Sequence, residues 1–554
     1  MRHARLPVIW LTVALVAAAC SGGETTETTE TTQAGEVTTT AGGGGGETTT
    51  TTEAPEPSAE AFSLVVGVGR EAPSLDPALN PICCGYENAA LYDTLVALLP
   101  DGTIGPSLAE SWTIDGASIT FELRQDVSFH DGTPFNAEAV KAYLDRVVDP
   151  ATNAANALNV LGPYAGSEVV DDFTITISWD PVYAPALVNL ANTSLGIPSP
   201  TATAAGTLED HPVGTGPFEF VEWVRGDHLT LRRYDGYTTI RDDMANKGPA
   251  YAEEVTLRYV DNATTLANLL ETGGVDIAGL EGPDAIRLEA AGELGTFRYP
   301  TIFLRWFAIN TANITDIRVR EAIASSIDRA GMVAAGAGGL ATPHYSTVNS
   351  LAFGYDGSVE DVVPHYDLDA VTGLMEEAGY ELIDGRWSQD GTPFPTMVLV
   401  TFSVDPYRQE AVLVQDYLRQ AGFEVEIRAV EVAAAISEVR AGNHDLYLAR
   451  YGMFDAGTLR NLFHSENTPT VNPTGNNITF YDDPVLDALL EEGGQETDPA
   501  RRIEIYSEAQ RQLASAMSTF ALYEAQALLL FQPGVDGVAI HQDGALKLSE
   551  LTKG

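Results

Sequence analysis

A strand–helix–strand pattern in the later half of the chain is the feature that most restricts the fold. Residues 396–401 form a short apolar run, and residues 423–429 alternate apolar and polar side chains as a strand does. Between them lies a helix, predicted to end at Gly422, whose apolar face carries Ala411, Val414, Leu418 and Ala421. Two strands joined by such a helix pair in parallel with a right-handed crossover. The pattern predicts a mixed α/β domain.

Similar signals recur along the chain. Strands are predicted at residues 64–68 and 119–123, where apolar residues run together or alternate with polar ones. Asn136 stands where the N-cap of a helix is expected, and another helix is predicted over residues 367–378. No repeat of fixed period is present, and 554 residues exceed what one hydrophobic core usually holds. The chain is therefore predicted to form at least two lobes.

Residues 1–20 are predicted to be a lipoprotein signal peptide. Arg2 and Arg5 precede a twelve-residue apolar run, which is too short to span a bilayer and is typical of a signal peptide. Small residues then lead into Cys20, the predicted lipidation site, as in a bacterial lipobox; an ordinary signal peptide with an incidental cysteine is the alternative. Residues 21–61 are a predicted disordered linker, since Thr, Gly and Glu make up 30 of residues 21–60.

Composition excludes several classes of function. Asp and Glu number 78 against 30 Lys and Arg, a formal net charge of −48. Nucleic-acid binding and charge-driven attachment to anionic lipid both need a basic surface, so neither is expected. The nine His residues show no metal-ligand spacing, and no nucleophile elbow, HExxH or phosphate-loop motif is present. No enzymatic activity, cofactor or metal is therefore predicted.

Several segments, in order along the chain, carry a family resemblance. They are Pro73–Pro77, Leu91–Val96, Pro106–Trp112, Val127–Phe135, Val213–Phe218, Asn310–Arg329 and Glu377–Tyr380. Together they resemble the bacterial extracytoplasmic solute-binding proteins of family 5, the oligopeptide- and dipeptide-binding type, over about Phe62 to Val538. Considered without the resemblance, Gly214 and Gly216 are expected to let the backbone turn sharply where the chain re-enters a sheet.

The resemblance implies an α/β fold of the periplasmic-binding-protein class, type II, in its large three-subdomain form with a cleft between lobes. The first lobe is expected at residues 62–99, 204–304 and 520–554, with an inserted subdomain at 100–203. The second lobe is expected at residues 305–519. Crossings between the lobes at the 304/305 and 519/520 boundaries would form the hinge, and closure over a ligand would shift the open–closed equilibrium.

The same resemblance implies a function. It is that of the substrate-binding lipoprotein of an ABC importer, which captures a peptide or peptide-like solute and delivers it to a permease and its ATPase. The expected protein is a monomer outside the cytoplasm, held on the cell membrane by its lipid anchor. Two alternatives stay open: a receptor that signals without transport, and an importer component for a sugar, a nickel complex or an opine.

Three segments are expected to reach the cleft, because the family's topology places them there. The candidate ligand-binding residues in them are Cys83, Cys84 and Tyr86 in a loop before a helix, Arg305 and Trp306 in a crossing strand, and Arg450, Tyr451 and Asp455 in a loop after strand 445–449. In peptide-binding members a carboxylate in the third segment receives the ligand's amino group, and Asp455 is the nearest match.

The residues alone leave other roles open. The aromatic side chains Trp306 and Tyr451 fit core packing as well as ligand stacking. The two arginines can pair with neighbouring acids instead of a ligand carboxylate. The adjacent cysteines allow free thiols, a strained vicinal disulfide or a link between chains.

Overall fold

The computed structural model describes residues 61–80, 85–100, 102–404 and 406–554. The predictions made for the signal peptide, Cys20, nearly all of the linker, Cys83 and Cys84 lie outside the described residues.

The strands are β1 (Ser63–Val68), β2 (Val96–Leu98), β3 (Ile104–Pro106), β4 (Ala109–Asp115), β5 (Ser118–Leu123), β6 (Tyr164–Asp171), β7 (Thr174–Trp179), β8 (Phe218–Val224), β9 (His228–Arg233), β10 (Glu254–Tyr259), β11 (Ile277–Leu280), β12 (Gly295–Ile309), β13 (Ala341–Pro343), β14 (Glu381–Ile383), β15 (Arg386–Gln389), β16 (Thr392–Pro393), β17 (Met397–Phe402), β18 (Val425–Val430), β19 (Leu446–Gly452), β20 (Thr519–Phe531), β21 (Val535–Asp536) and β22 (Thr552–Lys553).

The helices are α1 (Tyr86–Leu91), α2 (Ala137–Val148), α3 (Ala155–Leu161), α4 (Ala186–Leu190), α5 (Pro200–Ala205), α6 (Ala263–Glu271), α7 (Gly282–Ala291), α8 (Ile317–Ser325), α9 (Arg329–Gly331), α10 (Leu368–Glu377), α11 (Tyr407–Gln420), α12 (Val432–Arg440), α13 (Leu459–Phe463), α14 (Pro484–Gln495) and α15 (Pro499–Ala516).

One mixed sheet of eleven strands joins the two lobes. Its order is β18-β17-β19-β12-β20-β11-β1-β10-β9-β8, with β13 paired to β20. The strands β12 and β20, of 15 and 13 residues, pair antiparallel as one long ribbon. One end of this ribbon pairs with β11 in the first lobe, and the other end pairs with β19 in the second. The ribbon therefore carries the connection between the lobes.

The crossing between the lobes coincides with a break in the ribbon. The register of β12 on β20 shifts between Pro300 and Leu304. On the second-lobe side Phe520 and Tyr523 belong to one hydrophobic cluster, whereas Leu528 belongs to a first-lobe cluster. The predicted boundary makes Phe520 the first residue of the tail that belongs to the first lobe. In the structure its side chain packs with the second lobe. By packing, β20 therefore passes from the second lobe to the first between Tyr523 and Leu528, several residues after the predicted boundary.

The alternation of side chains along β12 explains how the second lobe builds a core on each face of its sheet. Phe307 and Ile309 pack in one cluster with α8, α10 and α11. Trp306 and Ala308 point to the opposite face and pack with α13, α14 and α15. Successive side chains of a strand face opposite sides, so both faces here are apolar and covered.

The inserted subdomain is a separate four-stranded antiparallel sheet. Its order is β4-β5-β7-β6, and α2 and α3 cover one side. Its core contains Phe121, Tyr143, Ile175 and Trp179, all nearly or fully buried. The indole nitrogen of Trp179 donates to the Leu161 carbonyl at 2.9 Å, which satisfies its one polar group inside the core.

Several sequence-based predictions of local structure are confirmed. The strands β17 and β18 are parallel on either side of α11, and Gly422 has φ +89°, the left-handed conformation that ends such a helix. Asn136 caps α2 by accepting a hydrogen bond from the Ala139 amide at 3.0 Å. Asp367 caps α10 through the amides of the first turn.

Two predicted loops were wrong. The strand predicted to end at Ala449 continues to Gly452, because its end pairs with β12, so Arg450 and Tyr451 lie in β19. Tyr86 opens α1 and does not lie in the loop before it.

The interpretation of Gly214 and Gly216 also changes. A Cβ at Gly214 would lie 1.9 Å from the Leu91 carbonyl oxygen, and one at Gly216 would lie 2.5 Å from that of Ala90. The Gly216 amide donates to the Leu91 carbonyl at 3.0 Å. Glycine is therefore needed for close approach to the end of α1, and neither position has a positive φ.

Gly214→Ala should destabilise the first lobe by about 1–3 kcal/mol, because the contacting atom is backbone and cannot move aside. The measurement is the urea midpoint followed by circular dichroism. Gly69→Ala is the matched control, since a Cβ there meets nothing within 4 Å. Equal midpoints for the two variants would contradict the packing argument.

Candidate functional site

The two lobes touch on two sides. The Ala184 amide of the inserted subdomain donates to the Gly494 carbonyl at the end of α14, at 3.1 Å. The Gln542 side-chain amide, in the C-terminal tail, donates to the Leu351 carbonyl of the second lobe at 3.3 Å. The structure therefore shows the lobes brought together, with side chains of each facing the other.

A cavity of about 60 Å³ lies at this junction. Its walls come from the end of α1, the segment around α4, the segment from Tyr237 to Met244 and the tail from His541 to Ser549; Phe454 of the second lobe completes them. A water molecule needs about 10–15 Å³ of such space, so the cavity has room for about four waters or the end of a side chain.

Asp93 is the carboxylate on one wall of the cavity. Its oxygens accept hydrogen bonds from the Tyr237 hydroxyl at 3.2 Å and the Thr215 hydroxyl at 3.1 Å. Burial raises the pKa of Asp93, although the charge of Arg241 and these hydroxyls act in the opposite direction. The Leu91–Val96 segment thus contributes a carboxyl group to the cavity wall.

Arg241 and His541 also line the cavity and belong to a salt-bridge cluster. Arg241 binds Asp243 through two bonds of 3.0 Å and also donates to His541 Nδ1 at 3.0 Å. Lys547 Nζ lies 2.8 Å from Asp243. Burial alone raises the pKa of Asp243, but hydrogen bonds and charge from Arg241 and Lys547 bring it well below its ordinary value. Burial and the same two cations lower the pKa of His541, which keeps Nδ1 an acceptor.

Arg305 takes part in a buried ion pair. Its Nε lies 2.6 Å from Glu410 Oε2, and the two side chains are 7% and 0% exposed. It also donates to the Tyr523 hydroxyl at 3.1 Å and lies over the Tyr407 ring at 4.1 Å. These contacts hold α11 against β12 and β20. Arg305 thus pairs with a neighbouring acid, which is one of the two roles that the sequence left open for it.

Trp306 packs inside the second lobe. It is 5% exposed, and its indole nitrogen donates to the Thr519 hydroxyl. The rings of Tyr447, Tyr451 and Phe463 surround it at centroid distances of 6.1 to 6.2 Å. Burial raises the pKa of Tyr451 to about 12. This geometry favours the core-packing alternative for both residues; ligand stacking stays a prediction.

Arg450 and Tyr86 keep partly exposed positions. The Arg450 guanidinium stacks on the Phe303 ring at 3.4 Å. Arg450 lies two residues before the end of β19 and four residues before Phe454, which lines the cavity. Burial raises the pKa of Tyr86 to about 12. Their contact with ligand also stays a prediction.

Asp455 is engaged within the second lobe. Arg502 donates to both of its oxygens at 2.6 Å, and the Gly457 amide donates to Oδ1 at 2.6 Å. Both side chains of this ion pair are 5% exposed. A ligand amino group would share the Asp455 carboxylate with Arg502, and the predicted role of Asp455 in binding it stays a prediction.

The sequence analysis missed the residues of the cavity. Asp93 stands within the apolar run Leu91–Val96, and a carboxylate in such a run is a signal of a buried charge. Tyr237, Arg241 and Asp543 carry no comparable signal, because they meet only after segments distant in the chain are packed together.

Two lobes that share one β-ribbon, with a cavity near their junction, are the architecture of the bilobed α/β class of binding proteins. The chain belongs to a family of that class, described as "Bacterial extracellular solute-binding proteins, family 5 Middle", whose model matches residues 103–469. The predicted family and fold class are confirmed, and the family consists of solute-binding proteins outside the cytoplasm and not of enzymes.

Individual relatives support the same assignment. The glutathione-binding protein GsiB of Shigella flexneri serotype 5b is 29% identical over 467 residues, covering 81% of this chain and 86% of its own length. The nickel ABC transporter structure from Bacillus halodurans has TM-score 0.73 and 26% identity, covering 88% of this chain and 99% of that one. NikA from Brucella suis, in complex with Fe(III)-EDTA, has TM-score 0.76 at 24% identity, covering 89% and 100%, and supports the fold alone.

The described residues contain neither a candidate membrane span nor a candidate metal-binding cluster. No helix in that part of the chain is long and apolar enough to cross a membrane. No group of three or more His, Cys, Asp or Glu residues there is arranged to hold a metal ion.

Asp455→Asn should destabilise the second lobe by about 3–5 kcal/mol, because it leaves Arg502 charged and buried without its partner. Chemical denaturation measures the loss. Asp416→Asn, which breaks the exposed pair with Arg419, is the control and should leave the midpoint nearly unchanged. A variant of Asp455 that is as stable as the wild type but no longer binds peptide would instead establish the ligand role.

Proposed function

We propose that the chain is the substrate-binding component of an ABC importer and takes a peptide or peptide-like solute between its lobes. The observation that carries this proposal is the cavity at the lobe junction, with Phe454 on one side and the first lobe on the other. The choice of ligand class is supported by the GsiB relatives, which are named for glutathione, a small peptide-like compound, and align with 81% of the chain.

Binding in this proposal works through closure and needs no covalent step. A solute at the junction contacts both lobes only when they are together, so it binds the closed form more tightly and shifts the equilibrium towards it. The register break in β12 offers the place where the ribbon can bend, since regular pairing is interrupted between Pro300 and Leu304. The contacts Ala184–Gly494 and Gln542–Leu351 would form on closing.

Reduced glutathione and unmodified tripeptides should bind one per protein, and mass spectrometry should recover them unchanged. Isothermal titration calorimetry on the purified protein measures the affinity, with the nickel–histidine complex as the alternative probe. Binding of the nickel complex without any peptide binding would contradict the peptide assignment, and hydrolysis of a bound peptide would contradict a pure binding role.

Lipid attachment at Cys20 is proposed on the sequence pattern alone, together with the extracytoplasmic location of the family. Cys20→Ala in a bacterial host should move the protein from the membrane fraction to the soluble fraction. Cys83→Ala is the matched control, because it removes a cysteine outside the lipobox. Unchanged membrane association of the Cys20 variant would contradict the anchor.

A further inference from the structure

The ribbon of β12 and β20 carries a buried carboxylate, that of Glu524, at the place where its ladder is interrupted. Glu524 pairs in register with Leu304 of β12. One interruption lies between Pro300 and Leu304, and a second lies between Arg305 and Trp306, so Glu524 stands between the two. Its side chain is 5% exposed. Burying a charge is costly unless it is hydrogen-bonded, so this carboxylate needs partners.

Both partners of this carboxylate come from one residue. The Ser350 amide donates to Glu524 Oε1 and the Ser350 hydroxyl donates to Oε2, each at 2.7 Å. The buried carboxylates of Glu410 and Asp455 in the same lobe are instead paired with arginines. Hydrogen bonds to a charged acceptor are the stronger kind. Two of them from one residue fix both the position and the orientation of Ser350 on the ribbon.

A short segment, residues 349–353, connects Ser350 to the cavity. The Phe353 amide donates to the Phe454 carbonyl at 3.0 Å, and the Phe353 carbonyl accepts from the Ala456 amide at 2.9 Å. Phe454 lines the cavity from the second lobe. Its backbone is therefore held by a segment that is itself anchored on the ribbon.

The same segment also contacts the first lobe. Its Leu351 carbonyl accepts from the Gln542 side-chain amide at 3.3 Å, and Gln542 lines the cavity from the other side. Asn349, at the start of the segment, is fully buried and donates to the Met453 carbonyl at 2.6 Å. The segment thus joins the ribbon, the chain beside the cavity and the opposite lobe.

We propose that Glu524 is a positioning residue for ligand binding, which sets the place of Phe454 in the cavity through Ser350 and the segment 349–353. The inference rests on the proposed function and goes beyond it, because it assigns the link between hinge and cavity to one carboxylate. Glu524 lies between the two interruptions, so bending of the ribbon there turns its carboxylate. The bonds to Ser350 pass this movement to the segment and so to Phe454.

Two substitutions separate the hydrogen bonds of Glu524 from its packing. Glu524→Met has a similar length but cannot accept from Ser350, whereas Glu524→Gln keeps an acceptor for the amide and offers a donor that the Ser350 hydroxyl can accept. Calorimetry with reduced glutathione and trialanine should give an affinity about tenfold weaker for Glu524→Met, as expected for the loss of one charged hydrogen bond. Glu524→Gln should keep the wild-type affinity. Thermal melting verifies that each variant is folded.

Asp445→Leu is the matched control. Asp445 is a carboxylate of the same lobe that also accepts from one backbone amide, that of Val398 at 2.7 Å, and from one side chain, that of Asn313 at 3.0 Å. It stands directly before β19, at the end of that strand opposite to Phe454. The control loses the same kinds of hydrogen bond and should keep the wild-type affinity.

A measurement on the free protein tests the same link without ligand. In hydrogen–deuterium exchange, Glu524→Met should speed the exchange of the Phe353 and Ala456 amides, because their hydrogen bonds depend on the anchored segment. Asp445→Leu should leave both amides at the wild-type rate. Unchanged exchange of these amides in Glu524→Met would overturn the positioning role.

The binding results distinguish the positioning role from the proposed function. Wild-type affinity of a folded Glu524→Met, or an equal loss in Glu524→Gln, overturns the positioning role and leaves the proposed function standing. An equal loss in Asp445→Leu has the same meaning, since any weakening of the second lobe would then be sufficient. If the wild type binds neither peptide, the proposed function fails, and the exchange of the Phe353 and Ala456 amides alone decides whether Glu524 positions Phe454.

Discussion

The pairing of β12 with β20 is the constraint on which the rest of the structure depends. Buried backbone amides and carbonyls must be hydrogen-bonded, so two strands shared by both lobes cannot separate without a large cost. We therefore expect the ribbon to bend where the ladder is already interrupted, which is between Pro300 and Leu304 and again between Arg305 and Trp306. The Thr301 hydroxyl donates to the Ala525 carbonyl at 2.9 Å within this interruption, which shows how the broken ladder is partly compensated.

Buried ion pairs fix what packs against the second-lobe end of that ribbon. Arg305 on β12 reaches Glu410 on α11, and Arg502 on α15 reaches Asp455 after β19. Removing two charges from water costs as much as their attraction returns, so such pairs are poor evidence of added stability. The ion pairs instead fix positions. Each arginine pairs with one buried carboxylate, and this pairing sets the position of α11 and of α15 on the sheet.

Local features of the fold were predictable, whereas the site was not. The apolar periodicity of α11 and the end of this helix before Gly422 depend only on residues that are close in the chain. Both predictions agree with the structure. The end of β19 was missed because Arg450 and Tyr451 have no strand pattern of their own; pairing with β12 keeps them extended. The partner of Asp455 lies 47 residues away in the chain, a separation at which periodicity carries no information.

The proposed ligand cavity lies beside the segments that connect the two lobes. Phe454 lies two residues after β19, which pairs with the ribbon. Gln542 belongs to the tail beyond β20 and donates a hydrogen bond to the second lobe. Bending the ribbon therefore moves Phe454 relative to Asp93 and Asp543. A solute held there would lose water as the lobes meet, so its affinity would be linked to the position of the hinge.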